Sequence, residues 1–299
     1  HTLVTNSGAN VEHSARKFGF SHQSTDAQKV WEDPEVQAII GLTPHSNHAG
    51  LVQTALTQQK PLFLEKPLCT TPEELNSILE ALETPSSVPL ILVGHNRRFS
   101  PHTRQLQQWL RNRQTPLVIQ MRVNAGFVPA DHWVHSEDEG RSRIVGEMSH
   151  FIDLLQALTG SFVQRVIAER VSGDNQVIVN NDNIVISLKF WDGSVGNLAY
   201  SASGAKAYSR ERLEVFCEGQ TLVLEDFRES ERHGSGKTER FKTTGQEMGY
   251  REELQHFVNC VVGKEESLVA FAEALSTMET IFAIEQSLAT GKSITCKLA

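Results

Sequence analysis

Two short stretches carry ionisable residues in arrangements that could do chemistry. In "PLFLEKPLCTT" (61–71) the apolar run Leu62-Phe63-Leu64 ends in Glu65 and Lys66, and Pro67 follows at once. Proline cannot donate to a strand ladder, so it ends the strand and turns the charged pair off it. In "GRSRIVGEMSHFIDLLQALTG" (140–160), Met148, Phe151, Ile152, Leu155 and Leu158 make an apolar helical stripe, while Glu147, His150 and Asp153 recur at every third residue on its flank. An imidazole oriented by a neighbour can exchange a proton with a substrate hydroxyl, because its pKa lies near neutrality. A half-buried histidine tied to a carboxylate fits the same spacing.

The elements around the first stretch alternate strand and helix. Short apolar runs predict strands at Thr2–Thr5, Gln37–Thr43, Leu62–Glu65 and Leu90–His95, and runs of that kind suit a parallel sheet covered on both faces. Helices are expected at Asn10–Phe18, Asn47–Gln59 and Thr71–Leu82, the last opened by a capping box from Thr71 to Glu74 with Pro72 at its first position. That rhythm predicts an open α/β sheet over residues 1–115, and ligands of such sheets bind beyond the carboxyl ends of the strands. Those ends read Thr5-Asn6-Ser7-Gly8, Thr43-Pro44-His45, Glu65-Lys66-Pro67 and His95-Asn96-Arg97-Arg98, which together form one polar rim.

No G-x-G-x-x-G follows the Thr2–Thr5 strand. If that strand is the second of a Rossmann sheet, the Gly-rich loop and first strand belong upstream of His1, and the ribose contact falls at Thr5 or Asn6. Neither is acidic, which leaves both NAD and NADP open. From residue 116 the pattern changes to alternating runs at Leu117–Ala125, Val163–Val171, Ile184–Phe190, Val195–Ser203, Leu213–Cys217 and Thr221–Phe227, with turn signals at Asp192-Gly193 and Glu218-Gly219. This predicts an α+β domain over 116–299 with a large antiparallel sheet. Its helices are Gly146–Leu158, Met248–Val262 and Phe271–Ala289, and residues 228–246 read as an exposed hairpin or loop.

Composition narrows the function classes. A net charge of −8 argues against nucleic-acid and anionic-membrane binding. No apolar run approaches the roughly 18 residues of a spanning helix. Four scattered cysteines without a C-x-x-C fit a reducing, cytoplasmic setting, and twelve histidines offer only the i, i+3 pairs His45/His48 and His132/His135, so no metal site is expected.

Taken together, "TPHSNHA", "EKP", "NRRFSP" and "GEMSHFID" resemble the Gfo/Idh/MocA oxidoreductases, the family of glucose–fructose oxidoreductase and inositol dehydrogenase, over essentially the whole chain. "NSGANVEHSARKFGF", "HNRRFSP", "RVNAGFVPADHW" and "GEMSHFIDLLQALTG" look like the second half of bi-domain members, in which a zinc-dependent alcohol-dehydrogenase-like half comes first; a chain beginning at His1 without Met fits that reading as an N-terminally truncated piece. The resemblance implies that Thr43, Pro44, His45 and His48 line the cofactor, that Glu65, Lys66 and Pro67 lie near the nicotinamide, and that Asn96, Arg97 and Arg98 approach cofactor or sugar. It makes Lys66 and His150 the proton-handling pair, with Glu147 and Asp153 on the substrate side. Trp133 either walls the substrate cleft or is a buried structural residue. The family often carries an acid four residues before its helix histidine, where this chain has Gly146.

The implied activity is hydride transfer between nicotinamide and a sugar, polyol or nucleotide-sugar hydroxyl. A non-catalytic sensor or assembly module of the same fold and a redox-assisted glycosidase are the rivals. The implied partners are a small carbohydrate and a second copy of the chain, packed through the antiparallel sheet. The resemblance also implies a cis Lys66–Pro67 peptide.

Overall fold

The computed structural model describes residues 1–6, 8–83, 87–136, 139–172, 182–234 and 236–298. Ser7, which belongs to the predicted rim, lies outside the described residues. The first domain holds two parallel ladders. Strand β1 (Thr2–Val4) pairs with β2 (His22–Ser24) across helix α1 (Gly8–Phe18). The other ladder is β3 (Ile39–Gly41), β4 (Leu62–Leu64) and β5 (Ile91–Val93), joined by α3 (His48–Gln58) and α4 (Pro72–Leu82). The predicted strands are present but shorter.

Among the described residues no strand pairs with the free edge of β3, and β1 pairs only with β2. Ile40 and Leu42 on and after β3 are 52% and 70% exposed, although β4 and β5 are buried throughout. The capping box of α4 forms as its sequence predicts: Thr71 Oγ1 accepts from the Glu74 amide at 3.0 Å while Glu74 Oε2 accepts from the Thr71 amide at 3.2 Å.

Three elements of the first domain escape the periodicity reading, as does the two-residue strand Ile294–Thr295 of the second. Strand β2 is polar and three residues long; α2 (Ala27–Glu32) is one short stretch behind an Asp26 cap; α5 (Pro101–Leu110) follows the 3-10 turn Asn96–Phe99 and is amphipathic only through scattered Leu residues. The Ser100-Pro101 pair was a legible start signal for α5, since Ser100 caps it and Pro101 occupies its first turn.

The second domain is a nine-stranded sheet ordered β13-β12-β11-β10-β6-β9-β8-β7-β14. Its strands are β6 (Val118–Asn124), β7 (Val163–Arg170), β8 (Asn183–Phe190), β9 (Val195–Ser201), β10 (Glu211–Cys217), β11 (Gln220–Glu225), β12 (Glu229–His233), β13 (Thr238–Lys242) and β14 (Ile294–Thr295). The sheet is mixed rather than purely antiparallel, because β6 runs parallel to β9. Alternating burial reveals a half-covered strand but not its direction, so this pairing was invisible in the sequence. Both predicted turns form: Gly193 sits at φ 93°, and Glu218 and Gly219 at φ 49° and 73° form the tight β10–β11 hairpin. Residues 228–246 include the β12–β13 hairpin, which extends the sheet.

A π-helical turn (Ile144–Met148) leads into α6 (Ser149–Thr159), which Gly160 ends in the left-handed region at φ 66°. Helix α8 (Phe271–Thr290) packs on α6 and β7 on one side and on α4 and β5 on the other, so one apolar core runs through both domains. The line at 115 divides the sheets but not the core. Helix α7 (Tyr250–Val261) starts at Gly249, where φ is 90° and a Cβ would lie 2.2 Å from the Asn96 carbonyl oxygen. Only glycine allows this approach. It seats α7 on the turn at the end of β5.

Candidate active site

The end of β4 meets the second domain at Lys66. The buried run Leu62–Leu64 fixes the strand, the Lys66–Pro67 peptide is cis, and Lys66 Nζ donates 2.8 Å to the carbonyl oxygen of Gly146 in the π-helical turn. Burial lowers the Lys66 pKa from its ordinary value against the pull of Glu65 and Glu147, and Arg97 lowers it further. A lysine in this state gives up its proton more readily than one in water.

His48, Thr43 and Pro67 form a clamp. His48 Nδ1 lies 2.6 Å from the Pro67 carbonyl oxygen and Nε2 lies 3.0 Å from that of Thr43, so this buried ring ties the end of β3 to the end of β4. It is spent on the backbone rather than turned to a ligand. His45 stands beside it, half-buried, with its pKa pushed down to about 4 by burial, Lys66 and His48. Its Nδ1 is buried without a protein partner among the described residues. Trp133 meets His45 edge to face at 5.5 Å and is 49% exposed, so it is not a buried core residue. A Cβ at Gly146 would find His45 at 3.7 Å, an ordinary contact, so glycine leaves a space there that a side chain could fill.

The rim at β5 differs from expectation. Arg97 forms a two-pronged pair with Glu211 (2.9 and 2.7 Å) and stacks 5.0 Å over Phe151; Asn96 donates to the Met248 carbonyl oxygen. Arg98 and Asp153, expected at the substrate, are buried and grip each other at 2.8 and 2.6 Å, with Glu273 2.8 Å from a further Arg98 nitrogen. These groups saturate one another because a buried charge needs a partner. Thr5 and Asn6 lie at the end of β1, on the ladder that does not pair with β3.

His150 is buried, and Arg97, Lys66, His95 and Arg210 add to its desolvation in holding its pKa well below the ordinary value. Glu147 is not free: it accepts from Tyr200 Oη at 2.7 Å and from Arg143 at 3.1 Å, with Arg210 at 3.5 Å. Sequence reasoning named His95 only as part of the rim and missed Tyr200, Arg143 and Glu253. His95 was visible at the strand end, while Tyr200 and Arg143 converge only through the tertiary fold. Glu253 follows Gly249 by one helical turn in "GYREEL", and it is 2% exposed with Oε2 unpartnered among the described residues.

Thr43, Pro44, Glu65, Lys66 and His95 gather at the carboxyl ends of three parallel strands, where open α/β sheets bind ligands, and His45 Nδ1 is a buried atom there without a protein partner among the described residues. No group of described residues could hold a metal ion, and no described helix is long and apolar enough to cross a membrane.

Two family descriptions match the chain. "Oxidoreductase family, NAD-binding Rossmann fold" covers residues 1–95, and "Oxidoreductase family, C-terminal alpha/beta domain" covers 115–296. The chain belongs to the Gfo/Idh/MocA oxidoreductase family. Myo-inositol 2-dehydrogenase of Thermotoga maritima is 24% identical over 93% of this chain and 85% of its own length. The scyllo-inositol 2-dehydrogenase (NAD(+)) of Bacillus subtilis is likewise 24% identical, over 95% and 84%. The fold also matches levoglucosan dehydrogenase in complex with NADH, at a TM-score of 0.85, 18% identity, and coverage of 100% of this chain and 90% of that one. As a Gfo/Idh/MocA member this is an NAD-dependent oxidoreductase with an N-terminal Rossmann-like domain.

Glu253 generates a pH prediction for the family fold. Burial, with Glu65 and Asp153 nearby, pushes its pKa up to about 9. A carboxyl raised in the folded state stabilises the fold at low pH and loses that contribution as pH rises toward the folded value. Glutamine stays neutral throughout, so Glu253→Gln should gain melting temperature over the parent as pH rises from about 5 to about 9. A melting-temperature difference that stays constant across that range would show that Glu253 is ionised in the fold.

Proposed function

We propose that this chain catalyses NAD(P)-dependent oxidation of a hydroxyl on a sugar, polyol or nucleotide sugar, and the reverse reduction. The observation that carries the reading is Lys66 itself: a desolvated amine at the end of a parallel strand, held 2.8 Å from the Gly146 carbonyl, one helical turn ahead of His150. Thr43, Pro44, His45, Glu65 and Lys66 would hold the nicotinamide end of the cofactor. When bound, the nicotinamide ring supplies the hydride acceptor.

The chain's own residues handle the proton. In its neutral form, which burial favours, Lys66 accepts the hydroxyl proton at Nζ, and His150, kept neutral chiefly by burial, offers a second acceptor on the α6 side of the cleft. Trp133 and His45 exclude water from the outer wall. The non-acidic Thr5 and Asn6 leave room for NADP as well as NAD. The named activities of the relatives, on inositols and levoglucosan, make cyclic polyols and anhydrosugars the first substrates to try. Lys66→Met should reduce turnover by about a hundredfold or more, a far larger effect than on dinucleotide affinity; an unchanged kcat would remove Lys66 from the chemistry.

Two further readings extend the proposal. The edge of β3 left unpaired among the described residues, the separate β1–β2 ladder and the lack of a G-x-G-x-x-G motif support a preceding strand and Gly-rich loop between the ladders, as in the second half of a bi-domain oxidoreductase. Adding such a strand–loop–helix upstream should tighten NAD(P)H binding in a fluorescence titration, and equal affinity with and without it would contradict this.

The second-domain sheet turns Val118, Ile167, Val185 and Val195 outward on one face, each two-fifths exposed or more. A face of that kind supports pairing with a second copy of the chain. The double variant Ile167→Asp, Val185→Asp should sediment as a smaller species than the parent. Identical sedimentation would exclude this face.

A further inference from the structure

Lys66, Arg97, Arg143 and Arg210 lie around Glu147 and His150. The first three are held by short bonds. Lys66 donates 2.8 Å to the Gly146 carbonyl oxygen, Arg97 donates 2.7 Å to Glu211, and Arg143 donates 2.7 Å to the Gly126 carbonyl oxygen. Arg210 is different. Its guanidinium makes no hydrogen bond among the described residues, and its neighbours stand at ion-pair distance, Glu147 at 3.5 Å and Glu211 at 3.6 Å. Both carboxylates already accept closer donors: Glu147 from Tyr200 at 2.7 Å and Arg143 at 3.1 Å, Glu211 from Arg97 at 2.9 and 2.7 Å. The Arg210 side chain is 46% exposed, so its donors remain open to the cleft. Its backbone is nevertheless fixed. The Arg210 carbonyl oxygen accepts 2.7 Å from the Asn124 amide, Arg122 donates 2.6 Å to the Ser209 carbonyl oxygen, and Asn124 Nδ2 donates 2.8 Å to that of Ala205. A Cβ at Gly204 would collide with Asn124 Oδ1, so the β9–β10 connection closes on Asn124 only with glycine there.

We propose that Arg210 receives an anionic group of the carbohydrate, a carboxylate or a phosphate, so that the preferred substrate is an acidic or phosphorylated sugar instead of a neutral polyol. The inference rests on the sugar-oxidising function proposed above and narrows its substrate. A guanidinium presents a planar fork of donors that matches two oxygens of either group, and a bond between two charged partners is stronger than one between neutral groups. Arg210 immediately precedes β10 and meets Glu147, the residue after the Gly146 whose carbonyl holds Lys66. An anion bound there would sit next to the proton-handling groups and could fix which hydroxyl of the sugar reaches them. The dinucleotide would lie beyond the strand ends of the first domain, whereas Arg210 belongs to the second, so the anion it faces is the substrate's. An exposed arginine on an open surface is ordinarily solvated. Here the backbone is anchored on both sides of the cleft cation, and the neighbouring carboxylates are occupied by other donors.

The test reads binding in the full chain without cofactor, at fixed ionic strength, by ligand-observed NMR with glucose, glucuronate and glucose 6-phosphate. At least one of the two acids should bind about tenfold or more tightly than glucose. Preference for glucuronate assigns a carboxylate, and preference for glucose 6-phosphate assigns a phosphate. Arg210→Gln should weaken the preferred acid by about tenfold or more, and Arg210→Lys, which keeps the charge but not the fork, should weaken it less. Acids that bind no more tightly than glucose overturn the proposal even if no variant folds. An acid whose Kd is unchanged in folded Arg210→Gln overturns it as well. The parent reading fails separately: if the acid binds through Arg210 but neither it nor any neutral polyol reduces NAD(P), the chain is not a sugar dehydrogenase.

Discussion

The buried Arg98–Asp153 pair is the constraint on which the rest of the arrangement depends. Arg98 comes from the turn after β5, Asp153 from α6, and Glu273 from the first turn of α8, so a single guanidinium joins three elements across the domain boundary. Its two-pronged geometry suits a carboxylate and restricts how the helix can rotate. Removing either partner of such a pair costs roughly 3–5 kcal/mol, because the other charge stays buried alone. The pair therefore argues more for a fixed geometry than for stability. Asp153 accepts from His95 as well, and Arg97 repeats the device one residue earlier with Glu211 on β10.

That lock accounts for the state of the groups in the cleft. With α6 fixed against the end of β5, the preceding π-helical turn brings its Gly146 carbonyl to Lys66. The His48 clamp holds the β3 and β4 ends together on the other side. His150 is then enclosed by protein and Lys66 and His45 are partly screened from water, and all three have pKa values below their ordinary range chiefly through burial. Charged groups behind the cleft are neutralised by partners, and the titratable groups inside it are biased toward their neutral forms. Such a separation suits proton transfer near neutral pH.

Much of this was legible in the sequence. Buried apolar runs located β3, β4 and β5, the "TPEE" signature located the start of α4, and the "EKP" tripeptide located the strand end that carries Lys66. The roles of Arg97, Arg98 and Asp153 were not legible, because a charged residue at a strand end or helix flank reads the same whether it faces a ligand or a buried partner. Glu211 lies 114 positions from the arginine it neutralises, and no local pattern announces that pairing. The same holds for His95: its neighbour Asp153 is close only after both domains fold. Strand direction in the β6–β9 pair was hidden for a similar reason, since period-two burial is identical in both orientations.

The central claim is that a lysine desolvated at the junction of the two domains handles the proton. The most direct measurement is the pH titration of the Lys66 side chain by NMR in selectively labelled full-length protein, followed through its ε-carbon. The account predicts a midpoint below that of an ordinary lysine. A Lys66 midpoint at or above the ordinary value would contradict it.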